Sequence, residues 1–269
     1  IVLENDEAEV PVACDKAALA FPPECDMDAT KTWQYPNNYE RRDYQFSMVQ
    51  SALFKNTLVC LPTGLGKTLI AAVVMYNFYR WFPKGKIIFM APTKPLVAQQ
   101  IEACRDIVSI PPEDSIAMTG KMNAETRSKH WTSKRIFFVT PQVPQNDIAS
   151  GICPVEQISL LVFDEAHKAH GDFAYCDVIR GVAKATPYFR VLALSATPGS
   201  DLASIQDVLT NLLISKIELR TDDSPDVKPY LHSRFVDEVK VKLDGPIIEA
   251  RERLRKIISL PITWLQANG

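Results

Sequence analysis

Lys67 and Thr68 stand behind two glycines, Gly64 and Gly66, in the stretch Leu61-Pro62-Thr63-Gly64-Leu65-Gly66-Lys67-Thr68. This order of residue types suits phosphate chemistry. An ammonium reaches the β- and γ-phosphates, a hydroxyl holds Mg²⁺, and glycines let backbone N–H groups close on the anion. The apolar run 57–61 precedes the loop and the apolar run 69–75 follows it. That pattern predicts a buried strand, a tight loop, and a helix whose positive N-terminus faces the ligand. Leu61 occupies a position where such loops usually carry Gly or Ala. The plain alternative is a Gly-rich turn with a solvated lysine.

Phe163-Asp164-Glu165-Ala166-His167 follows the apolar run 158–163, at the carboxyl end of an expected strand. Asp164 there can hold Mg²⁺ through its water shell, and Glu165 can orient and polarise an attacking water. Taken alone, the four residues also suit a polar surface turn. Ser195-Ala196-Thr197 follows another apolar run. Its hydroxyls can bond the acidic loop, or simply cap a helix. Arg42 and Gln45 open a helix ahead of the first strand. A Gln amide pairs with the N6 donor and N7 acceptor of adenine, and Arg stacks on a base. An exposed helix start is the competing reading. Pro92-Thr93-Lys94, Thr119-Gly120 and Thr140-Pro141-Gln142 each follow an expected strand. They put N–H groups, hydroxyls and helix N-termini on one rim, suited to sugar-phosphate contacts.

The elements that must position these groups alternate. Strands are expected at 57–61, 86–91, 115–118, 135–140, 158–163 and 190–195. Helices are expected from Arg41 to Lys55 and at 67–82, 95–108, 123–132, 142–149, 172–185 and 201–213, the last leading to an extended segment at 215–219. The strands are unbroken apolar runs, so both faces are buried and the class is α/β with a parallel sheet between helices. Such sheets bind ligands at the carboxyl ends of their strands.

With 269 residues and 46% hydrophobic content, the chain can bury a large core. No apolar run approaches the ~20 residues of a membrane span. None of the six cysteines forms a Cys-x-x-Cys pair, so the expectation is a reducing compartment and no zinc site. Residues 1–30 carry eight acids and one base, leaving the remainder at +5 against −2 for the whole. A basic body suits a polyanionic partner, and an ordinary solvated surface explains it equally. Residues 1–30 read as a disordered acidic leader or a peripheral arm. Residues 221–269 read as a linker, an extended strut near 234–243, and a helix from Pro246 that begins a second module. There is no internal repeat.

Read in order, these motifs resemble the first motor domain of superfamily 2 helicases across residues 40–220. The stretches 56–68, 73–82 and 194–201 are closer still to the family of Fanconi anaemia complementation group M and archaeal Hef translocases. The resemblance implies a three-layer RecA-like P-loop NTPase domain. It implies ATP and Mg²⁺ as cofactors, a nuclear location, DNA-repair complex subunits as partners, and branched DNA such as forks and junctions as the substrate. It also implies roles. Residues 61–68, Arg42, Gln45, Asp164 and His167 bind nucleotide. Lys67, Asp164 and Glu165 serve hydrolysis, with Thr68 and Asp164 on the metal. Pro92, Thr93, Lys94, Thr119, Gly120, Thr140, Pro141 and Gln142 meet nucleic acid, and Ser195, Ala196 and Thr197 couple the two sites. Motors of this class need a second domain carrying an arginine finger. None follows within these residues, so residues 1–269 alone are expected to turn over ATP hardly at all. The helix from Pro246 resembles the start of the family's helical insert. An RNA helicase of the Dicer or innate-sensor kind shares the motifs, and a nucleotide-gated scaffold without turnover also fits them.

Overall fold

Alternate residues of each apolar run face opposite sides of a sheet, so a run apolar at every position needs cover on both faces. The computed structural model describes residues 2–4, 24–197, 199, 201–231, 239–240 and 244–268. The chain runs β1 (Val2–Glu4), β2 (Thr32–Gln34), α1 (Asp43–Phe54), β3 (Thr57–Cys60), α2 (Lys67–Trp81), β4 (Lys86–Met90), α3 (Lys94–Ile107) and β5 (Ser115–Met118). It continues through α4 (Ala124–Ser133), β6 (Ile136–Val139), α5 (Gln142–Ala149), β7 (Ile158–Phe163), α6 (Ala174–Ala185), β8 (Arg190–Ser195), α7 (Leu202–Asn211), β9 (Lys216–Leu219) and α8 (Gly245–Asn268). Seven strands form one sheet in the order β5-β6-β4-β7-β8-β3-β9, and every ladder is parallel.

The alternation shows directly in the two cores. Val59, Phe89, Phe138, Val162 and Leu194 pack on one side with residues of α1, α2 and α3. Leu58, Ile88, Phe137, Leu161 and Val191 pack on the other with Trp131, Tyr175, Val178 and Val208 of α4, α6 and α7. The architecture is therefore three layers. α2 lies deepest; it buries Leu69 through Met75 as well as Asn77, Phe78 and Trp81.

A second, two-stranded sheet pairs β1 with β2 antiparallel, Leu3 opposite Trp33. β2 is fastened to α2 by the buried Asn77 amide, which accepts from Gln34 N–H (2.7 Å) and donates to Gln34 C=O (2.8 Å). Asp26 N–H donates to Trp81 C=O at 2.8 Å, and Glu24 pairs with Lys84 at 2.8 Å. Within the segment read as an acidic leader, residues 2–4 and 24–30 are thus tied to β2 and α2, and residues 5–23 lie outside the described residues.

The sequence pattern predicts a linker from residue 221, and here the structure differs. The first compact unit extends to Leu231. Arg220 holds Asp226 at 2.7 Å, Val227 is fully buried in the first core, and Tyr230 packs 5.8 Å from Tyr44. The polar turn 221–224 hid this return, because Val227 and Tyr230, three and six positions past it, carry the contact. The expected strut at 234–243 lies outside the described residues except for positions 239 and 240, where Val239 is exposed. In the second unit, Asp244 caps α8 by accepting from Ile247 N–H at 3.2 Å. Ile247, Ile248, Leu254, Ile257 and Ile258, the face expected from sequence, are exposed. Among the described residues, no helix is long and apolar enough to cross a membrane.

One polar cluster knits the edge of the sandwich. Asp147 of α5 is wholly buried; it accepts from Arg127 Nε (2.9 and 3.0 Å), Arg127 Nη2 (2.8 Å) and Trp131 Nε1 (2.8 Å) of α4. Removing the acceptor leaves a guanidinium and an indole N–H stranded. Asp147→Ala should therefore destabilise the fold by about 3–5 kcal/mol. Urea unfolding of residues 1–269 reads this; a loss below ~1 kcal/mol would show the pair to be worth no more than a surface bridge.

Candidate active site

The loop between β3 and α2 needs glycine at two places. Gly64 and Gly66 have φ of 87° and 88°, a region that side chains enter only under strain. A Cβ on Gly66 would lie 2.2 Å from Gln45 Nε2. That amide is buried and donates to Leu65 C=O at 3.0 Å, beside the Tyr44 hydroxyl donating to the same oxygen at 3.0 Å. α1 thus seats the loop from below. Leu61, unusual by type, is fully buried in the first core, and its N–H donates to Ser195 C=O at 3.1 Å. Its side chain packs while its backbone serves the loop, so a leucine is accommodated.

Lys67 and Thr68 begin α2, as the spacing predicts. The Lys67 ammonium donates to Leu61 C=O at 2.6 Å and to Pro62 C=O at 3.4 Å. Burial lowers its pKa, while Glu165 and Asp164 pull it back up. A cavity of about 430 Å³ opens beside the loop, lined by Tyr39, Arg42, Gln45, Gly64, Gly66 and Thr68 among others. Arg42 lines it with its guanidinium 4.4 Å over the Tyr230 ring and 3.3 Å from the Tyr44 hydroxyl. Its stacking partner in the structure is therefore an aromatic side chain of the region read as linker.

Asp164 and Glu165 leave the end of β7. Asp164 is buried, its N–H donates to Met90 C=O at 2.9 Å, and the Tyr175 hydroxyl donates to its carbonyl at 2.7 Å. Burial first, and then the Glu165 carboxylate, raise its pKa to about 6; the Glu165 N–H and Lys67 oppose the shift. The folded state therefore holds this proton more tightly than the unfolded chain. Stability from Asp164 falls as pH rises from 3.8 to about 6. A cation beside the carboxylate relieves that cost, so the donor set of Asp164 and Thr68 fits Mg²⁺. The left-handed glycines and the free end of α2 fit a triphosphate. Glu165 itself sits in the left-handed region at φ 51°, a conformation uncommon outside glycine that aims a side chain away from the strand direction.

His167, expected among the nucleotide-binding residues, lies with Nδ1 3.1 Å from Ser195 Oγ and 3.4 Å from a Glu165 carboxylate oxygen. Ser195 Oγ–H in turn donates to Thr197 C=O. Ala196 is half-buried and Thr197 exposed. The structural reason for this link is strand order. β8 lies between β3 and β7, so the Ser195 end touches both the phosphate loop and the acidic loop.

The loops after β4, β6 and β5 sit on three adjacent strands at the same carboxyl edge. Thr93, Lys94, Gly120 and Gln142 are exposed; Pro92, Thr119 and Thr140 are half-buried. Pro141 is buried, so it shapes the loop and offers no surface.

One residue of the site is not marked by any sequence motif. Gln100 of α3 accepts from the Thr68 hydroxyl at 3.0 Å and donates to Asp164 Oδ2 at 3.4 Å. A signal did exist. Val97, Ile101 and Cys104 form the buried face of α3, and Gln100 falls on that same face by helical spacing.

Residues 42–205 match the DEAD/DEAH box helicase family. Over 211 residues the chain is 59% identical to the Fanconi anemia group M protein homolog of Mus musculus, across 78% of this chain and 10% of that protein. It is 53% identical over 249 residues to the DEAD-box ATP-dependent DNA helicase Fancm of Drosophila melanogaster, across 91% of this chain and 16% of that protein. The Hef helicase domain of Pyrococcus furiosus is similar in structure, with a TM-score of 0.68 and 38% identity over 85% of this chain and 48% of that one. The chain spans a small part of the length of these curated relatives, 10% and 16%.

Proposed function

The chain belongs to the DEAD/DEAH box helicase family, and on that premise we propose that it is the first motor domain of an ATP-driven DNA translocase that remodels forks and junctions in DNA repair. One observation carries this reading: the residues of an NTP site and a rim of exposed loops share one edge of one parallel sheet. Lys67 neutralises charge on the β- and γ-phosphates, and the N–H groups of the glycine loop cradle them. Thr68 and Asp164 hold the metal. Glu165 orients water and takes its proton. Bound Mg·ATP supplies an anhydride bond polarised by the cation. Ser195 and His167 join the acidic loop to β8, a route by which the state of the nucleotide reaches the neighbouring loops. A second motor domain supplies the arginine that completes the cleft. The protein acts in the nucleus with other repair subunits. Similarity to proteins named as Fanconi anemia group M and DNA helicase Fancm supports DNA as the track.

The test is ATP hydrolysis by the protein carrying both motor domains, stimulated by forked DNA or by double-stranded RNA. Stimulation by the fork and not by the RNA is expected; the reverse would identify an RNA motor. The rim gives a further prediction. Lys94 is exposed at the first turn of α3, a position that suits a phosphate contact. Lys94→Ala should weaken DNA binding uniformly across sequences and lower the salt slope by about one counterion. An unchanged slope would leave Lys94 on an ordinary solvated face.

A further inference from the structure

A hydroxyl that holds a metal must turn its lone pairs to the cation, so its proton needs an acceptor on the other side. In the active site that acceptor is Gln100. The Thr68 hydroxyl donates to Gln100 Oε1 at 3.0 Å, and Gln100 Nε2 lies 3.4 Å from Asp164 Oδ2. One amide therefore spans the two side chains assigned to Mg²⁺, and it uses its acceptor on one and its donor on the other. The two ends are not interchangeable, because a hydroxyl can give a proton here and an ionised carboxylate cannot. Gln100 is half-buried on α3, a helix whose inner face is otherwise apolar. An amide on that face is expensive unless it is bonded, and its partners are the metal-binding groups.

We propose that Gln100 is a positioning residue for the magnesium site: it orients the Thr68 hydroxyl and the Asp164 carboxylate so that both face the cation. The inference rests on the assignment of Thr68 and Asp164 as metal-binding residues. Gln100 touches neither nucleotide nor the reacting water. It acts through its two neighbours, as outer partners of metal ligands do, and their loss typically costs about ten- to a hundredfold in metal affinity. Geometry makes the identity of the side chain matter. Leucine fills the same space and bonds neither neighbour. Glutamate keeps the acceptor for Thr68 but adds a further carboxylate beside Asp164 and Glu165.

The experiment measures binding of a fluorescent ATP analogue to the full-length protein, with turnover excluded by Glu165→Gln. It is titrated with Mg²⁺ and repeated in EDTA. Gln100→Leu should raise the Mg²⁺ concentration for half-saturation about tenfold or more, and leave affinity in EDTA unchanged. In a Thr68→Ala background the same substitution should add little, because its main route of action is gone. Equal losses with and without Mg²⁺ would overturn the inference and reduce Gln100 to a packing residue, as would an unshifted Mg²⁺ titration. A Thr68→Ala protein with a normal Mg²⁺ titration would overturn the metal assignment itself, and the role of Gln100 with it. The two failures are thus distinguishable.

Discussion

Glu165→Gln is expected to bind Mg·ATP with nearly normal affinity and to hydrolyse it ~10²-fold or more slowly. The amide matches the carboxylate in shape and cannot accept a proton. The groups proposed to grip the phosphates are elsewhere: Lys67 on α2, the glycine loop before it, and Thr68 at its first turn. Relieving one of two neighbouring negative charges also lowers the burden on Asp164, whose pKa Glu165 helps to raise. Binding should therefore hold while the chemical step fails. Single-turnover hydrolysis beside equilibrium nucleotide binding separates the two. A variant that hydrolyses at the normal rate would remove Glu165 from the reaction and send the search for a base to another residue.

Gly66→Ala should damage the step before that one. Two effects act together at this position. Its φ of 88° penalises any side chain, and the new methyl would meet Gln45 Nε2 at 2.2 Å. Gln45 must then swing away and give up its bond to the Leu65 carbonyl. Backbone strain and one lost buried hydrogen bond come to about 2–3 kcal/mol against the present loop conformation, and a loop that escapes this cost by changing shape loses up to roughly 30- to 150-fold in nucleotide affinity. The clash term can be isolated. Adding Gln45→Ala to Gly66→Ala should cost less than Gln45→Ala alone, because the hydrogen bond is already gone. Strictly additive losses would mean that the two residues do not share the loop.

That the residues of the proposed phosphate site share one edge of the sheet was legible from residue types. Asp164 and Glu165 directly follow a fully apolar run, Lys67 and Thr68 follow another across a short glycine-bearing loop, and a parallel sheet brings such run-ends to one edge. The chain does not display strand order in the same way. Ser195 reads as a helix cap or a coupling group, and only the seating of β8 between β3 and β7 gives it His167 on one side and the phosphate loop on the other. Gln100 was missed for a related reason. Its partners, Thr68 and Asp164, lie far from it along the chain, on two different elements. Arg42 shows the same limit. Its neighbour over the ring is Tyr230, a residue assigned to a linker because the turn ahead of it is polar. Local pattern names the groups that do chemistry; the partners that hold them come from packing between distant segments.

On the proposed reading, ATP hydrolysis at this site drives the remodelling of branched DNA. The most direct measurement follows phosphate release and fork remodelling in one reaction, with full-length protein and its Lys67→Ala variant. Both signals should rise together when forked DNA is added to the wild type, and both should vanish in the variant. Fork remodelling that persists in the variant while hydrolysis is lost would contradict the account, and would make this domain a scaffold that binds nucleotide rather than a motor.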